Sequence, residues 1–155
     1  MIRDNDWLFT KLDEVWDNFF PDIPQDNEVK IIWGRKARNR LGSIKQGKVI
    51  KGALPETIIT INPLFKDQNI PEYVIIGTIG HELAHYAHGF HSPLKRKFET
   101  PHAGGVVNKE LKSRGLEKVL KLQKKWLKEN WEDYLKETFP RSNRRRKRRV
   151  IIKWF

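Results

Sequence analysis

Two histidines and a glutamate stand close together near the middle of the sequence, in the run His81-Glu82-Leu83-Ala84-His85. Residues four apart on an α-helix project from one face, about one turn from each other. His81 and His85 can therefore share one tetrahedral metal ion, each with a ring nitrogen about 2.0–2.1 Å from it. Glu82 lies about 100° further round the helix, where it can act as general base on a water at the metal's open position. The pattern predicts a catalytic zinc site with Glu82 as its catalytic residue.

A catalytic zinc usually has a third protein ligand, and the sequence offers several candidates downstream of the motif. His102 is preferred, because Pro101 stiffens the chain before it and the following glycines permit close packing against the motif helix. His91, six residues after His85, stays open as the alternative. An acidic ligand is the least favoured choice, from Glu99, Glu110 or Glu117.

His88 lies on the same helix face as the motif histidines, but it is about 10 Å from His81 at about 1.5 Å of rise per residue. One straight helix cannot bring three such imidazoles onto one ion. We therefore expect His88 to interact with the negative end of the helix dipole or to support a ligand from outside the metal shell.

Charge is distributed unevenly along the chain. The formal net charge is +12, and residues 141–155 contribute eight Lys/Arg and no acid, so the other residues hold only +4. A segment of this density attracts phosphate backbones through counterion release. Residues 140–155 are therefore predicted to be a basic tail that contacts DNA or RNA. Its aromatic end, Trp154-Phe155, could stack on bases or could dock as an apolar strand together with residues 150–152.

The remaining composition narrows the class of protein. The sequence has no cysteine, which excludes disulfides and thiolate metal ligands and is typical of a cytoplasmic protein. No apolar run approaches the roughly 18 residues that span a bilayer, and the charged N-terminus lacks the apolar core of a signal peptide. We expect a cytoplasmic protein without membrane contact, whose residues 1–139 form one domain around a single core.

Apolar patterning predicts the elements that must position these side chains. Apolar residues at helical spacing between Asp4 and Phe20 predict an N-terminal helix that Pro21 ends. Four short β-rich runs, separated by glycine and proline, predict a small antiparallel sheet of three or four strands. These runs are residues 29–33, 41–45, 49–51 and 57–61.

The histidine motif falls in a helix that begins at Pro71 and ends at Gly89. Apart from Glu72, no charged residue precedes the motif in this helix, so we expect burial on most sides. Burying the motif's three ionisable groups without partners would be costly, which favours a bound metal over a solvated polar patch. Two further helices are expected, at residues 106–114 and 116–138, which makes the fold class α+β.

The layout resembles the SprT-like family of zinc metallopeptidases over residues 5–120. The resemblance rests on the N-terminal helix and on four segments: Arg40-Leu41-Gly42-Ser43, Ile58-Ile59-Thr60-Ile61-Asn62, His81-Glu82-Leu83-Ala84-His85 and His102-Ala103-Gly104-Gly105. It implies a zincin-like minimal metallopeptidase domain with zinc on His81, His85 and His102. It also implies Glu82 as general base and a protein substrate, because the family includes a peptidase that cleaves proteins crosslinked to DNA.

The sequence departs from the family pattern in two respects. The loop between His85 and His102 is long and basic, and His91-Ser92 is similar to the related YgjP-like proteins, which use the nearer histidine. The four-cysteine zinc ribbon that many bacterial relatives carry downstream is absent. The basic tail is expected to take its place as the element that contacts DNA.

Two functions are consistent with these patterns. The first is a zinc metalloendopeptidase that hydrolyses peptide bonds, in particular in proteins associated with or crosslinked to DNA. The second is a non-catalytic nucleic-acid-binding protein with a structural zinc site. A metal with an open fourth position favours the enzyme, and a closed four-ligand site favours the structural role.

Overall fold

The computed structural model describes residues 2–141 as a mixed α+β fold, in which helices pack on one face of a three-stranded sheet. In chain order the elements are α1 (Asn5–Phe19), β1 (Val29–Trp33), β2 (Gly42–Gln46), β3 (Thr57–Ile61), α2 (Glu72–Ala87), α3 (Val106–Ser113), α4 (Glu117–Trp126), a π-helical segment (Leu127–Trp131) and α5 (Glu132–Thr138). Residues 142–155 lie outside the described residues, and the predicted basic tail lies there apart from its first two residues.

The N-terminal helix α1 begins and ends where the sequence predicts. The Asp4 side chain accepts a hydrogen bond from the Trp7 backbone N–H at 2.8 Å, which caps the first turn. Pro21 follows directly after the last turn. One face of α1 is buried against β1 and α2, through Trp7, Leu8, Leu12, Val15 and Trp16.

The sheet is mixed, so the expected all-antiparallel sheet is wrong. The central strand β3 pairs parallel with β1 and antiparallel with β2. The register places Ile31 beside Ile59, both on the buried face that the helices cover. Alternation of apolar residues fixes which face of a strand is buried but not the direction of its neighbour. Whether two neighbouring strands run parallel or antiparallel depends on how the chain connects them. The residues of β1 carry no signal for that connection.

The candidate strand at residues 49–51 is not formed, so the described sheet has three strands, the lower of the two numbers expected. This segment belongs to the loop of residues 47–56 between β2 and β3, which is closed by a 2.7 Å hydrogen bond from the Gly47 N–H to the Glu56 carbonyl. Val49 and Ile50 are 71% and 65% exposed. A β-prone run of three residues does not become a strand when no neighbouring strand pairs with it.

Helix α2 carries the histidine motif and is buried on most sides, as predicted. Pro71 stands at its N-cap, and the helix ends before Gly89, whose φ of 83° is left-handed. A Cβ at Gly89 would lie 2.5 Å from the Lys95 carbonyl carbon, so the following loop runs directly against the end of α2. Glycine is therefore required there both by conformation and by close approach.

The two predicted C-terminal helices are present, with one difference. The second one, from Glu117 to Thr138, contains a π-helical segment, and the residues on both sides of that segment keep right-handed helical backbone angles. Trp131 anchors this part of the chain, because its Nε1 donates a 2.8 Å hydrogen bond to the Arg38 carbonyl. Among the described helices, none has both the length and the apolar character needed to cross a bilayer.

Candidate metal centre

Three histidines from two segments converge on one point. His81 and His85 come from α2, and His102 stands just before the short helical turn Ala103–Gly105 that leads into α3. The Nε2 atom of His81 is 3.1 Å from Nε2 of His85 and 3.3 Å from Nε2 of His102. Nitrogen ligands at about 2.0–2.1 Å from a tetrahedral ion are separated by about 3.3–3.4 Å. The spacing of the imidazoles therefore fits one shared metal ion.

The position of His102 depends on the backbone that follows it. Gly104 and Gly105 have φ angles of 57° and 70°, in the left-handed region that favours glycine. A Cβ added at either position would meet no atom within 4 Å. The expectation that these glycines permit close packing is therefore wrong. They are needed because two successive left-handed residues turn the chain from His102 into α3.

Burial keeps the two helical histidines in the form that binds metals. It lowers the pKa of His81 to about 4, with a further contribution from the neighbouring His102. Burial also lowers the pKa of His85 to about 3, and the adjacent His81 and His102 add to this effect. Neutral imidazole is the ligating species, so both rings are ready to bind a cation at neutral pH.

Glu82 lies beside this cluster and is 5% exposed. Burial raises the pKa of its carboxyl group to about 8, although the Arg40 charge acts in the opposite direction. The strand β2 passes close to it: a Cβ on Gly42 would lie 2.7 Å from Cγ2 of Thr78 and 3.4 Å from Oε1 of Glu82. Glycine at position 42 thus leaves room for the carboxyl group. A carboxyl that exchanges its proton near neutral pH is suited to general acid–base chemistry.

The cluster opens on a cleft of about 670 Å³ between β2, α2, α4 and the loops around His91 and His102. Besides the motif residues, its walls include three polar side chains that sequence reasoning missed: Arg40, Lys45 and Gln123. A signal for the first two was available. Residues 34–55 contain seven Lys/Arg and no acid. The excess positive charge of the sequence therefore lies in this run as well as in the tail.

His91, the alternative third ligand, lines the same cleft but is not part of the three-histidine group. Its own φ is 56°, and its carbonyl accepts a 2.6 Å hydrogen bond from Oγ1 of Thr57. The loop is therefore attached to β3 at this point through the backbone of His91. The structure brings His102, rather than His91, to the pair on α2.

The acidic alternatives have other places in the structure. Glu99 is exposed in the loop before His102, and Glu117 pairs on the surface with Lys112 and Lys121 at 3.7 and 3.5 Å. Glu110 instead forms a 2.8 Å contact from Oε1 to Nε2 of His88. None of the three acids belongs to a metal-binding group among residues 2–141.

A second histidine group is built around His88, which is 1% exposed. The carboxylate of Glu110 joins His88 to Arg114, whose Nε lies 2.9 Å from Oε2 of Glu110. Arg114 also contacts both carboxylate oxygens of Asp22, at 2.6 and 3.1 Å. Burial opposes the ionisation of Glu110, but the hydrogen bonds from His88 and Arg114 hold the pKa of Glu110 below its ordinary value. This group pairs Nε2 of His88 with a carboxylate, while the buried Nδ1 of the same ring has no hydrogen-bond partner, and it links the ends of the helices next to the candidate metal centre.

No protein-family model, curated protein or solved structure matches the chain. The mixed α+β fold and a histidine group able to hold a metal ion follow from the structure alone. Membership of the SprT-like family, the zincin-like architecture and the identity of the metal stay predictions.

Proposed function

We propose that the chain is a zinc metallopeptidase of the SprT-like, zincin type. In this proposal His81, His85 and His102 hold the zinc ion and Glu82 is the general base. The observation that carries it is the convergence of three imidazoles beside a buried carboxyl group in an open cleft. Burial disfavours a cluster of ionisable groups, and the ring nitrogens that meet here at 3.1 and 3.3 Å would coordinate a bound cation.

The donor set suits the proposed metal. Three neutral imidazoles with no thiolate are a familiar set for catalytic zinc. When bound, zinc would supply the Lewis acidity that makes water a nucleophile near neutral pH. Glu82 then takes the proton of the attacking water and passes it to the leaving amine. His81, His85 and His102 would hold the ion.

The edge strand β2 supports a peptide as the substrate. Among the described residues β2 pairs only with β3, and Gly42, Ser43 and Ile44 line the metal cleft. An extended polypeptide can add to such an edge through main-chain hydrogen bonds. This arrangement would carry a peptide bond past Glu82, which lies against Gly42.

The positive charge of the chain supports a substrate protein that is bound to nucleic acid. The basic tail would bind DNA or RNA through counterion release, with binding that weakens steeply as salt increases. Deleting residues 141–155 should remove most of this salt dependence. Binding that is absent or insensitive to salt would remove the tail from the proposal. A cytoplasmic location belongs to the same proposal and rests on the lack of cysteine.

The alternative, a non-catalytic nucleic-acid-binding protein with structural zinc, requires a fourth protein ligand. The described residues provide three, and they face a cleft of about 670 Å³. A structural zinc is normally closed by four ligands. The open cleft therefore favours the enzyme.

The test compares wild type with Glu82→Gln on an unfolded protein substrate, after both have been loaded with zinc. We expect turnover to fall by about 10²–10⁴-fold in Glu82→Gln, while zinc content measured by mass spectrometry stays at one per chain. The matched control is Glu99→Gln, which neutralises an exposed carboxylate close to His102. Undiminished turnover in zinc-loaded Glu82→Gln would contradict the role of Glu82. A zinc-loaded wild type that cleaves no unfolded protein would contradict the peptidase.

A further inference from the structure

A second cavity of about 480 Å³ lies on the other side of β2 from the metal cleft. The two cavities share lining residues from β2 and the turn that leads into it: Arg40, Leu41, Gly42, Ser43 and Lys45. β2, an edge strand of the sheet among residues 2–141, therefore borders both cavities. A molecule bound along this edge would contact both cavities at once.

The second cavity is cationic. Arg35, Arg40 and Lys45 line it, and its described lining contains no Asp or Glu. Apolar groups of Ile32 and Leu41 form part of its wall. None of the ion pairs found among residues 2–141 includes Arg35 or Lys45. The cavity thus offers the positive charges of Arg35 and Lys45, which form no ion pair with a carboxylate of residues 2–141.

Strand geometry relates the two cavities to alternate residues of a bound peptide. Side chains along a strand point in turn to opposite faces of the sheet. In β2, Gly42 and Ile44 are paired with the buried residues Ile61 and Ile59, on the face that α2 covers. Lys45 is on the opposite face. A peptide added to this edge would follow the same alternation, with one set of side chains directed at the metal cleft and the next directed at the cationic cavity.

We propose that the cationic cavity selects an Asp or Glu side chain in the extended peptide substrate, at positions that alternate with those facing the metal cleft. The proposal rests on the proposed function, because it requires a peptide on the edge of β2. Arg35 and Lys45 would form charge-assisted hydrogen bonds with the substrate carboxylate. Ile32 and Leu41 would contact its methylene groups. The preferred substrate is an acidic, unfolded segment of a protein.

The experiment uses zinc-loaded Glu82→Gln protein, in which peptides bind without being cut. The probes are labelled, extended peptides without charged side chains. In each member of the series, one Gln is replaced by Glu, at a different position each time. One residue is kept constant in all the peptides, so that the varied positions are counted from the same reference. We expect Glu to tighten binding by roughly 10-fold at alternate positions on one side of that residue.

Variants of the cavity identify the residues responsible. In the Arg35→Gln/Lys45→Gln double variant, the Glu and Gln peptides should bind equally. Arg35→Lys should retain the preference. The matched control is Lys48→Gln/Lys51→Gln, which removes two exposed cations from the same basic run outside the cavity lining. This control should keep the full preference for Glu.

The outcomes separate this inference from the function on which it rests. Equal binding of Glu and Gln peptides, or a preference for Glu at every position alike, would overturn the cationic subsite while leaving the peptidase intact. A preference that survives in the Arg35→Gln/Lys45→Gln protein would overturn it as well. If no peptide binds and zinc-loaded wild type cleaves none, the proposed function fails together with the inference.

Discussion

Helix α2 carries two histidine groups that use the same residue type in opposite ways. His81 and His85 meet a third imidazole, with no carboxylate in the group. One turn further along the helix, His88 meets the carboxylate of Glu110, which Arg114 neutralises from its other side. His88 is the C-cap residue of α2, and helical spacing places it on the face that carries His81 and His85. Spacing along a helix therefore selects a face, whereas partners from distant segments determine whether a histidine on that face can bind a metal or supports the fold.

The two groups also contribute to stability in different ways. The network around His88 joins the ends of three helices, because Arg114 donates a 2.9 Å hydrogen bond to the Phe19 carbonyl at the end of α1 and lies over the ring of Phe20. Its contribution is present without any ligand. The imidazoles of the first group are held close together without an anionic partner, so they stabilise the fold only when a cation is bound.

The largest expected effect comes from removing the ligand that the loop contributes. His102→Ala should lower the affinity for zinc by on the order of 10³-fold, because a three-ligand site becomes a two-ligand site. His91→Ala, which changes the other histidine of the same loop and cleft, should bind zinc normally. Competition with a chromophoric chelator measures both affinities. The reverse result, with zinc lost in His91→Ala and kept in His102→Ala, would move the third ligand to His91.

The second largest effect should come from the other histidine group. Glu110→Ala leaves His88 and Arg114 without their shared partner. The three side chains are each 19% exposed or less. We expect the free energy of unfolding to fall by about 2–4 kcal/mol, with zinc stoichiometry unchanged. Denaturant unfolding of the zinc-free proteins measures the loss. Glu117→Ala, which removes only surface ion pairs, should cost less than about 1 kcal/mol. Loss of zinc in Glu110→Ala would place Glu110 in the metal centre.

The protonation of the first group provides a third test, carried out without metal. The pKa values of His81 and His85 in the folded protein lie below those in the unfolded chain. The unfolded state therefore binds more protons, and stability is lost as pH falls from about 6.5 towards 4. The raised pKa of Glu82 acts in the opposite direction between about 4.5 and 8.

The Glu82→Gln background isolates the histidine contribution. There the free energy of unfolding should fall by up to about 2.7 kcal/mol per pH unit, for two protons. In wild type the fall should be about half as steep, since one proton on Glu82 offsets one on a histidine. Urea unfolding at a series of pH values measures both slopes. If the free energy of unfolding fell equally steeply with pH in both proteins, the titration of Glu82 would not oppose that of the histidines.

The smallest expected effect tests the backbone that positions His102. Gly104→Ala places a Cβ at a left-handed φ with no steric neighbour, which should cost about 1 kcal/mol of stability. It should also weaken zinc binding several-fold, because the chain leaving His102 would relax. Gly52→Ala is the matched control: its φ is 85°, it also has no neighbour, and it lies in the loop between β2 and β3. The control should show the stability loss alone. Equal zinc affinity in both variants would mean that the left-handed turn does not position His102.

Local signals account for the parts of the fold that the sequence predicts. Asp4 and Pro21 mark the ends of α1, and the uncharged run after Pro71 marks α2 as a buried helix. The spacing of His81 and His85 places them together on one helix. These features depend on residues within a few positions of each other, so they can be recognised without knowledge of the fold.

The parts that the sequence does not predict depend on distant partners. Glu110 contacts His88 and Arg114, and Arg114 in turn pairs with Asp22 in a distant part of the chain. The parallel pairing of β1 with β3 has no local signal either. The cationic character of the β2 edge was visible in the sequence, but only the structure places Lys45 beside the metal cleft.

The central position of β3 has a consequence for the order in which the molecule folds. β2 and β3 are joined by the loop of residues 47–56, so their pairing closes a short stretch of chain, whereas β1 pairs Val29 with Thr57 across a longer one. Shorter loops cost less entropy to close, so we expect the hairpin to form first and α1 with β1 to dock later. All three histidines of the candidate metal centre follow the hairpin in the chain. The metal-binding half can therefore assemble around its own nucleus before the N-terminal helix covers it.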